Sequence, residues 1–198
     1  MILVTNPQPV PCEMEIINAL FEKGLETLHI RKPDFDEGMV VDYISKIDNR
    51  FHRQVMIHSH YGLLDSFGLK GIHFTEKTKP LLPDFADKNC VKSMAVHELA
   101  GLEGVRAVDY ILFSPVFPSV SKEGYSKEWD FDELKTKLSA KRNYNIVALG
   151  GITPDKLKSV WEMGFDDFAV LGSVWEPLKA GCTESEIINI LQDFRNGW

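Results

Sequence analysis

Cysteine is scarce in this chain, and the three present, Cys12, Cys90 and Cys182, are odd in number, far apart and in no metal-ligand spacing. A disulfide framework and a cysteine-held metal are therefore excluded, and reduced thiols in a cytoplasmic setting are expected. Positive charge is also short, with 22 Lys and Arg against 29 Asp and Glu and a net charge of -7. A general affinity for nucleic acid needs a positive surface and is not expected, so any anionic ligand would need locally placed donors. No apolar run is long enough to cross a membrane. The chain opens directly on the strand-like Met1-Ile2-Leu3-Val4, without a basic segment and cleavage site, so neither export nor a membrane span is expected. Linkers, low-complexity runs and breaks in composition are missing too. The 198 residues are expected to form one domain, 1–198, and their 44% hydrophobic content is enough for a real core.

What is present is organised around residues 145–172, NIVALGGITPDKLKSVWEMGFDDFAVLG, which read as strand, glycine turn, helix, strand and glycine turn. Residues 145–149 are an apolar run of the kind buried on both faces of a parallel sheet. Gly150 and Gly151 end it where bare backbone can approach a ligand. Thr153 suits an N-cap with Pro154 at the first helical position. Leu157, Val160 and Trp161 then follow at helical spacing, and Gly164 supplies the stop. A second strand, 168–171, runs into Gly172 and Ser173. In a βαβ unit both strand ends lie on one side of the sheet, so two amide-rich turns face one point and favour a phosphate. The alternative is that these glycines only make tight connections.

Elsewhere strand-like and helical patterns alternate in the same way. The pairs are 1–5 with 13–22, 27–31 with 39–47, 55–58 with 61–67, 91–96 with 97–102, and 110–113 with 131–138; 71–74 is a further strand, and 184–194 a closing helix. Residues 77–88 are too rich in proline and charge for a full helix, so a short or irregular connection is expected there. Eight repeats of about 25 residues with short connections predict a compact closed parallel (β/α)8 barrel, since each strand must lie beside its predecessor with a right-handed crossover. A doubly wound sheet would need fewer strands. The one long connection, 114–130, lies at the C-terminal end of the sixth strand, the rim where barrel chemistry sits, and is the candidate lid. Its Ser119, Ser121 and Lys122 place two hydroxyls and an ammonium within four residues, groups that can hold phosphate oxygens.

The motifs HIRKPD (29–34), GIHFTE (71–76), DYILFSPVFPSVSKEG (109–124), VALGGITPDKL (147–157) and FAVLGS (168–173) together resemble the thiamine-phosphate synthase family, which includes the TenI-type thiazole tautomerases. The resemblance spans nearly the whole chain. It implies a barrel that binds a thiazole monophosphate. In a synthase, a magnesium-bound pyrimidine methyl diphosphate loses pyrophosphate and the thiazole nitrogen captures the carbocation. By this resemblance Ser119, Val120, Ser121 and Lys122 match the family's Thr-x-Thr and following lysine, and Gly151, Leu171 and Gly172 match its phosphate cradle. Gly172 stands where the family has serine, with Ser173 displaced by one.

The pyrimidine diphosphate half departs from the pattern. The family's Gln-x-Arg-x-Lys is here His29, Ile30, Arg31, Lys32 and Pro33, so only the arginine is kept, and His-x-Arg is nearer the TenI branch. The expected Asn-Asp pair is His58-Ser59, the second magnesium aspartate falls at Thr78, and the serine near the end of strand five is Ala95. Magnesium is implied by the resemblance, yet neither carboxylate ligand remains. Leaving-group stabilisation then rests on Arg31 and Lys122, with Glu76 a better acidic replacement than Asp65, and a weak or altered synthase is expected. The TenI histidine after strand six is Pro115, so a proton-transfer group would come from elsewhere.

His29, His58, His60 and His73 all fall near expected strand ends and together could form an acid/base or even a metal-binding cluster, with His29 first for catalysis because Arg31 should share its face. No two have a spacing that commits them to one metal, and no metal ligand is assigned from the sequence. Trp161, Phe165 and Phe168 read as helix-to-sheet packing; Trp129 and Trp175, beside the phosphate loops, could cover a flat ring. Three readings follow: a transferase joining the pyrimidine to thiazole phosphate, a tautomerase, and a silent barrel that binds thiazole or thiamine phosphate. The expected partners are small phosphorylated heterocycles, with neither nucleic acid nor membrane, and the resemblance adds a homo-oligomer.

Overall fold

Eight short runs rich in apolar residues become strands because both of their faces can be buried. In the computed structural model, which describes residues 1–118 and 129–198, they are β1 (Ile2–Val4), β2 (Thr27–Ile30), β3 (Val55–Ile57), β4 (Gly71–Phe74), β5 (Val91–Val96), β6 (Tyr110–Phe113), β7 (Asn145–Leu149) and β8 (Asp167–Val170). Each strand pairs in parallel with the next, and β8 returns to β1, giving the closed barrel expected from the repeats.

Helices α1 (Glu13–Glu22), α2 (Glu37–Ser45), α3 (Leu63–Phe67), α4 (Phe131–Leu138), α5 (Leu157–Met163), α6 (Gly172–Lys179) and α7 (Glu184–Asn196) cover the outside. Their ends follow local chemistry. The α2 helix starts two residues earlier than the periodicity suggests, because Asp36 accepts the Met39 N–H at 2.8 Å. Thr183 and Glu186 form a reciprocal capping box on α7. Thr153 makes no side-chain cap; the chain turns through a 3-10 segment, Pro154–Lys156, before α5 begins, and Gly164 ends that helix at φ 94° as expected. The connections 77–88 and 97–102 are also 3-10 segments, Lys79–Phe85 and Leu99–Leu102, the second in place of the expected helix. The α6 helix was hidden in the sequence by Pro177, since a proline inside a helix removes a backbone donor.

The main core lies between sheet and helices, where Ile16, Ile17 and Leu20 of α1 and Ile187, Leu191 and Phe194 of α7 are buried. Burying each such side chain contributes about 1.5–3 kcal/mol. Phe165 and Phe168 pack there as expected, Phe168 stacking on Phe194 at 5.6 Å. Trp161 does not: it is 67% exposed, with its ring edge-on to that of Trp198.

The barrel interior is divided. Ile2, Met56, Tyr110, Leu112, Val147 and Ala169 form a small apolar cluster. The register Val4 to His29, His29 to Met56, Met56 to Gly71, His73 to Ser93 and Ser93 to Tyr110 places His29, His73 and Ser93 on the same inward face. All three are buried.

Candidate functional site

At the C-terminal ends of β6, β7 and β8, the chain builds with backbone. Gly150 and Gly151 adopt φ of 99° and 65°, a region that L side chains rarely enter. A Cβ on Gly151 would also lie 2.5 Å from the Pro118 carbonyl oxygen and 2.8 Å from Phe117 Cβ. That close approach is held by the Val116 N–H donating to Leu149 O at 3.0 Å and the Phe117 N–H donating to Gly150 O at 3.1 Å. The Ser173 hydroxyl donates to Ile152 O, tying the β8 turn to the β7 turn. Gly172 opens α6, with Leu171 just before it. Three strand ends thus meet at one place, and Gly150, Gly151, Leu171, Gly172 and Ser173 come together there. Ser119, Val120, Ser121 and Lys122 lie outside the described residues.

One cation at this turn went unnoticed in the sequence. Lys156 donates to Gly151 O at 2.9 Å and lies 5.0 Å from the Phe117 ring centroid. Its signal was a lysine in the first turn after a glycine pair, where the helix dipole favours acidic residues. The two tryptophans also separate. Trp175 is fully buried and donates to Val4 O at 2.8 Å, so it fastens α6 to β1 and cannot cover a ligand. Trp129 donates to Pro115 O at 2.7 Å and packs on Phe113.

Across the rim, β2 to β5 build with side chains. His29 is completely buried; its Nε2 lies 2.5 Å from the Tyr110 hydroxyl and its Nδ1 2.9 Å from Nε2 of His58. His58 follows the last residue of β3 and stacks on His73 at 4.1 Å between centroids. His73 Nδ1 lies 2.9 Å from Ser93 Oγ. The imidazoles of His29, His58 and His73 each offer a nitrogen within 4.8 Å of the others. His60 stands apart, bonded to Phe35 O at 3.1 Å. Closure of the barrel unites three of the four histidines whose sequence spacing linked none of them. Tyr110 and Ser93 were missed; their signal was the inward strand face they share with His29 and His73.

Burial holds His29 and His58 well below the usual imidazole range, aided in each by His73. His73 is brought down to about 3 by burial and then by the charge of Arg31. The rings are therefore neutral near pH 7. Arg31 is exposed at the end of β2, and its charge reaches His58 and His73. The strand has indeed ended before Lys32, but that lysine is buried and forks onto both carboxylate oxygens of Glu13 at 2.8 and 2.7 Å. It is thus held away from any incoming phosphate.

The donors here do not fit magnesium, which demands hard oxygen ligands. Thr78, expected from the resemblance at a magnesium aspartate, accepts from Thr75 N and from Tyr61 OH, each at 2.8 Å. Glu76 pairs with Lys79 at 2.5 Å, and Asp65 pairs with Lys88 on the surface. What gathers instead is nitrogen.

A family profile described as thiamine monophosphate synthase (TMP-TENI) matches residues 1–174. A thiamine-phosphate synthase of Serratia proteamaculans is 23% identical over 191 residues, covering 93% of this chain and 90% of that protein. The crystal structure of a thiamine phosphate pyrophosphorylase from Bacteroides thetaiotaomicron superposes with a TM-score of 0.83 at 28% identity, covering 100% of this chain and 96% of that one. A thiamine phosphate pyrophosphorylase from Pyrococcus furiosus, at 16% identity, shares the fold with a TM-score of 0.78 over 99% and 93% of the two chains.

Proposed function

Because this chain belongs to the thiamine monophosphate synthase family, we propose that it acts in thiamine biosynthesis as a synthase-like transferase, joining a pyrimidine methyl diphosphate to a thiazole phosphate. The carbon–oxygen bond to the diphosphate breaks, pyrophosphate leaves with the electron pair, and the thiazole nitrogen supplies the pair for the new carbon–nitrogen bond. Residues 1–198 act as one barrel. The thiazole phosphate rests on the amide-rich turns of Gly150, Gly151, Leu171, Gly172 and Ser173, with Lys156 adding charge at the same turn. Ser119, Val120, Ser121 and Lys122 complete this subsite by resemblance to the family. Arg31 and Lys122 stabilise the departing pyrophosphate, each donor contributing about 3 kcal/mol to the barrier. His29 and His58 line the pyrimidine side. The resemblance adds a cytoplasmic setting and a homo-oligomer, and it implies magnesium, whose usual carboxylate ligands this chain lacks.

The observation that supports this reading best is the joining of the three strand ends through Ser173 to Ile152 and Phe117 to Gly150. A tautomerase reading has its own support in the buried chain His58, His29, Tyr110, which can pass a proton between neutral groups. Incubating the pure protein with a divalent metal, the pyrimidine diphosphate and the thiazole phosphate decides between them. Steady formation of thiamine phosphate is expected. Isomerisation of the thiazole phosphate without coupling would establish the tautomerase, and tight binding with no turnover would leave a silent phosphate-binding barrel.

A further inference from the structure

We infer that His29, His58 and His73 form a site for one zinc-class transition-metal ion, held by three imidazole nitrogens, with a coordination position left for an oxygen ligand. The inference goes beyond the proposed reaction and does not depend on it.

Three features carry it. The first is the donor set: three buried nitrogens that come within 4.8 Å of one another, of the type that suits zinc, cobalt, nickel or copper rather than magnesium. The second is orientation. A metal-bound histidine usually donates its other ring N–H to an oxygen, which fixes the tautomer and turns the remaining lone pair toward the ion. Here His29 Nε2 faces the Tyr110 hydroxyl at 2.5 Å and His73 Nδ1 faces Ser93 Oγ at 2.9 Å. Nδ1 of His29 and Nε2 of His73 are thereby directed to the shared space. The third is convergence. Nδ1 of His29 and Nε2 of His58 already face each other at 2.9 Å, so both can turn to one ion, their hydrogen bond giving way to two metal–nitrogen bonds.

The geometry sets a condition. Nitrogens around a tetrahedral zinc, with bonds of about 2.0–2.1 Å, lie roughly 3.4 Å apart. The His29 to His58 separation of 2.9 Å is slightly short of this, and the widest separation, 4.8 Å, exceeds it. Binding therefore draws the rings together by side-chain rotation. With no carboxylate among the donors and Arg31 acting on two of the rings, a negatively charged oxygen in the open position would strengthen the site. His58, just beyond the end of β3, is the least buried of the three rings and marks the side of the site nearest the rim.

Untagged, chelator-treated protein titrated with cobalt(II) tests this without any substrate. Visible absorption bands of four-coordinate, nitrogen-ligated cobalt are expected, saturating at one equivalent, displaced by zinc and unaffected by excess magnesium. His58→Gln and His73→Gln should each weaken binding by at least 100-fold, and Ser93→Ala by about 10-fold through loss of ring orientation. His60→Gln should leave it unchanged. Absence of the bands in the wild-type protein, equal displacement by magnesium, or full retention in a folded His58→Gln variant would overturn the site. The wild-type titration is sufficient by itself, so a variant that fails to fold does not alter its outcome. Failure here would also leave thiamine phosphate formation untouched as a separate measurement.

Discussion

The two halves of the barrel mouth are built on different principles. The β6 to β8 half uses main chain: positive-φ glycines, carbonyls tied by neighbouring N–H groups, and one serine joining two turns. The β2 to β5 half uses side chains: His29, His58, His73 and Ser93, joined by Tyr110 of β6, form one buried group linked by hydrogen bonds and by the stacking of His58 on His73, beside an exposed Arg31. A backbone cradle survives sequence change, because amides are present whatever the residue. At Gly172, which opens α6, the turn needs no side chain at all. A side-chain network has no such tolerance, since removing one partner leaves the other buried and unpaired.

Single changes can separate the halves. Arg31→Ala should have the largest effect, lowering the rate of thiamine phosphate formation by about 10²–10³-fold while the melting temperature holds, since the residue is exposed. Parallel kinetics and thermal unfolding check both parts. Unchanged kinetics would take the diphosphate role away from the β2 side.

A second test uses pH, which should act on one half alone. Unfolded histidines titrate near 6.5, whereas burial keeps His29 and His58 well below that value and His73 at about 3. Between those limits the unfolded chain binds more protons than the native one. Stability is therefore complete above about pH 6.5 and declines as pH falls toward 3, by up to about 1.4 kcal/mol per pH unit for each ring that stays neutral. Urea midpoints measured from pH 7.5 to 4.5 give the slope. A flat profile would mean that the three rings are not kept neutral by burial.

Gly151→Ala should combine two losses in the other half. The new Cβ meets the Pro118 carbonyl at 2.5 Å in a φ region unsuited to alanine. About 1–3 kcal/mol of stability should go with it, and calorimetry should show thiazole phosphate binding weakened at least 10-fold. Ser173→Ala should be milder, removing one tie between turns at about 0.5–1.5 kcal/mol. Its affinity for the phosphate should fall only a few-fold, because the neighbouring amides remain. If Ser173→Ala proved as damaging as Gly151→Ala, the hydroxyl rather than the backbone would be the main phosphate donor.

Much of the backbone half was legible in the sequence because turns leave local marks. Gly150, Gly151 and Gly172 announce bare backbone at strand ends, and strand order follows from short connections. The side-chain half was legible only in part. Alternation put His29 on the inward face and was expected to put Arg31 there too, although β2 ends at Ile30; His58, His73, Ser93 and Tyr110 sit on four other strands or strand ends, and nothing local relates them. Lys32 shows the same limit: its burial against Glu13 depends on how α1 packs over the end of β2.

The sequence alone determined the eight alternating units, their parallel order and the glycine turns, because each is fixed by spacing within a few residues. The tertiary structure decided which inward-facing side chains meet. Alternation assigns a residue to a face, but only closure of β8 onto β1 and the register between neighbouring strands bring residues 29, 58 and 73 to one height inside the barrel, where water is displaced and three imidazoles must answer one another.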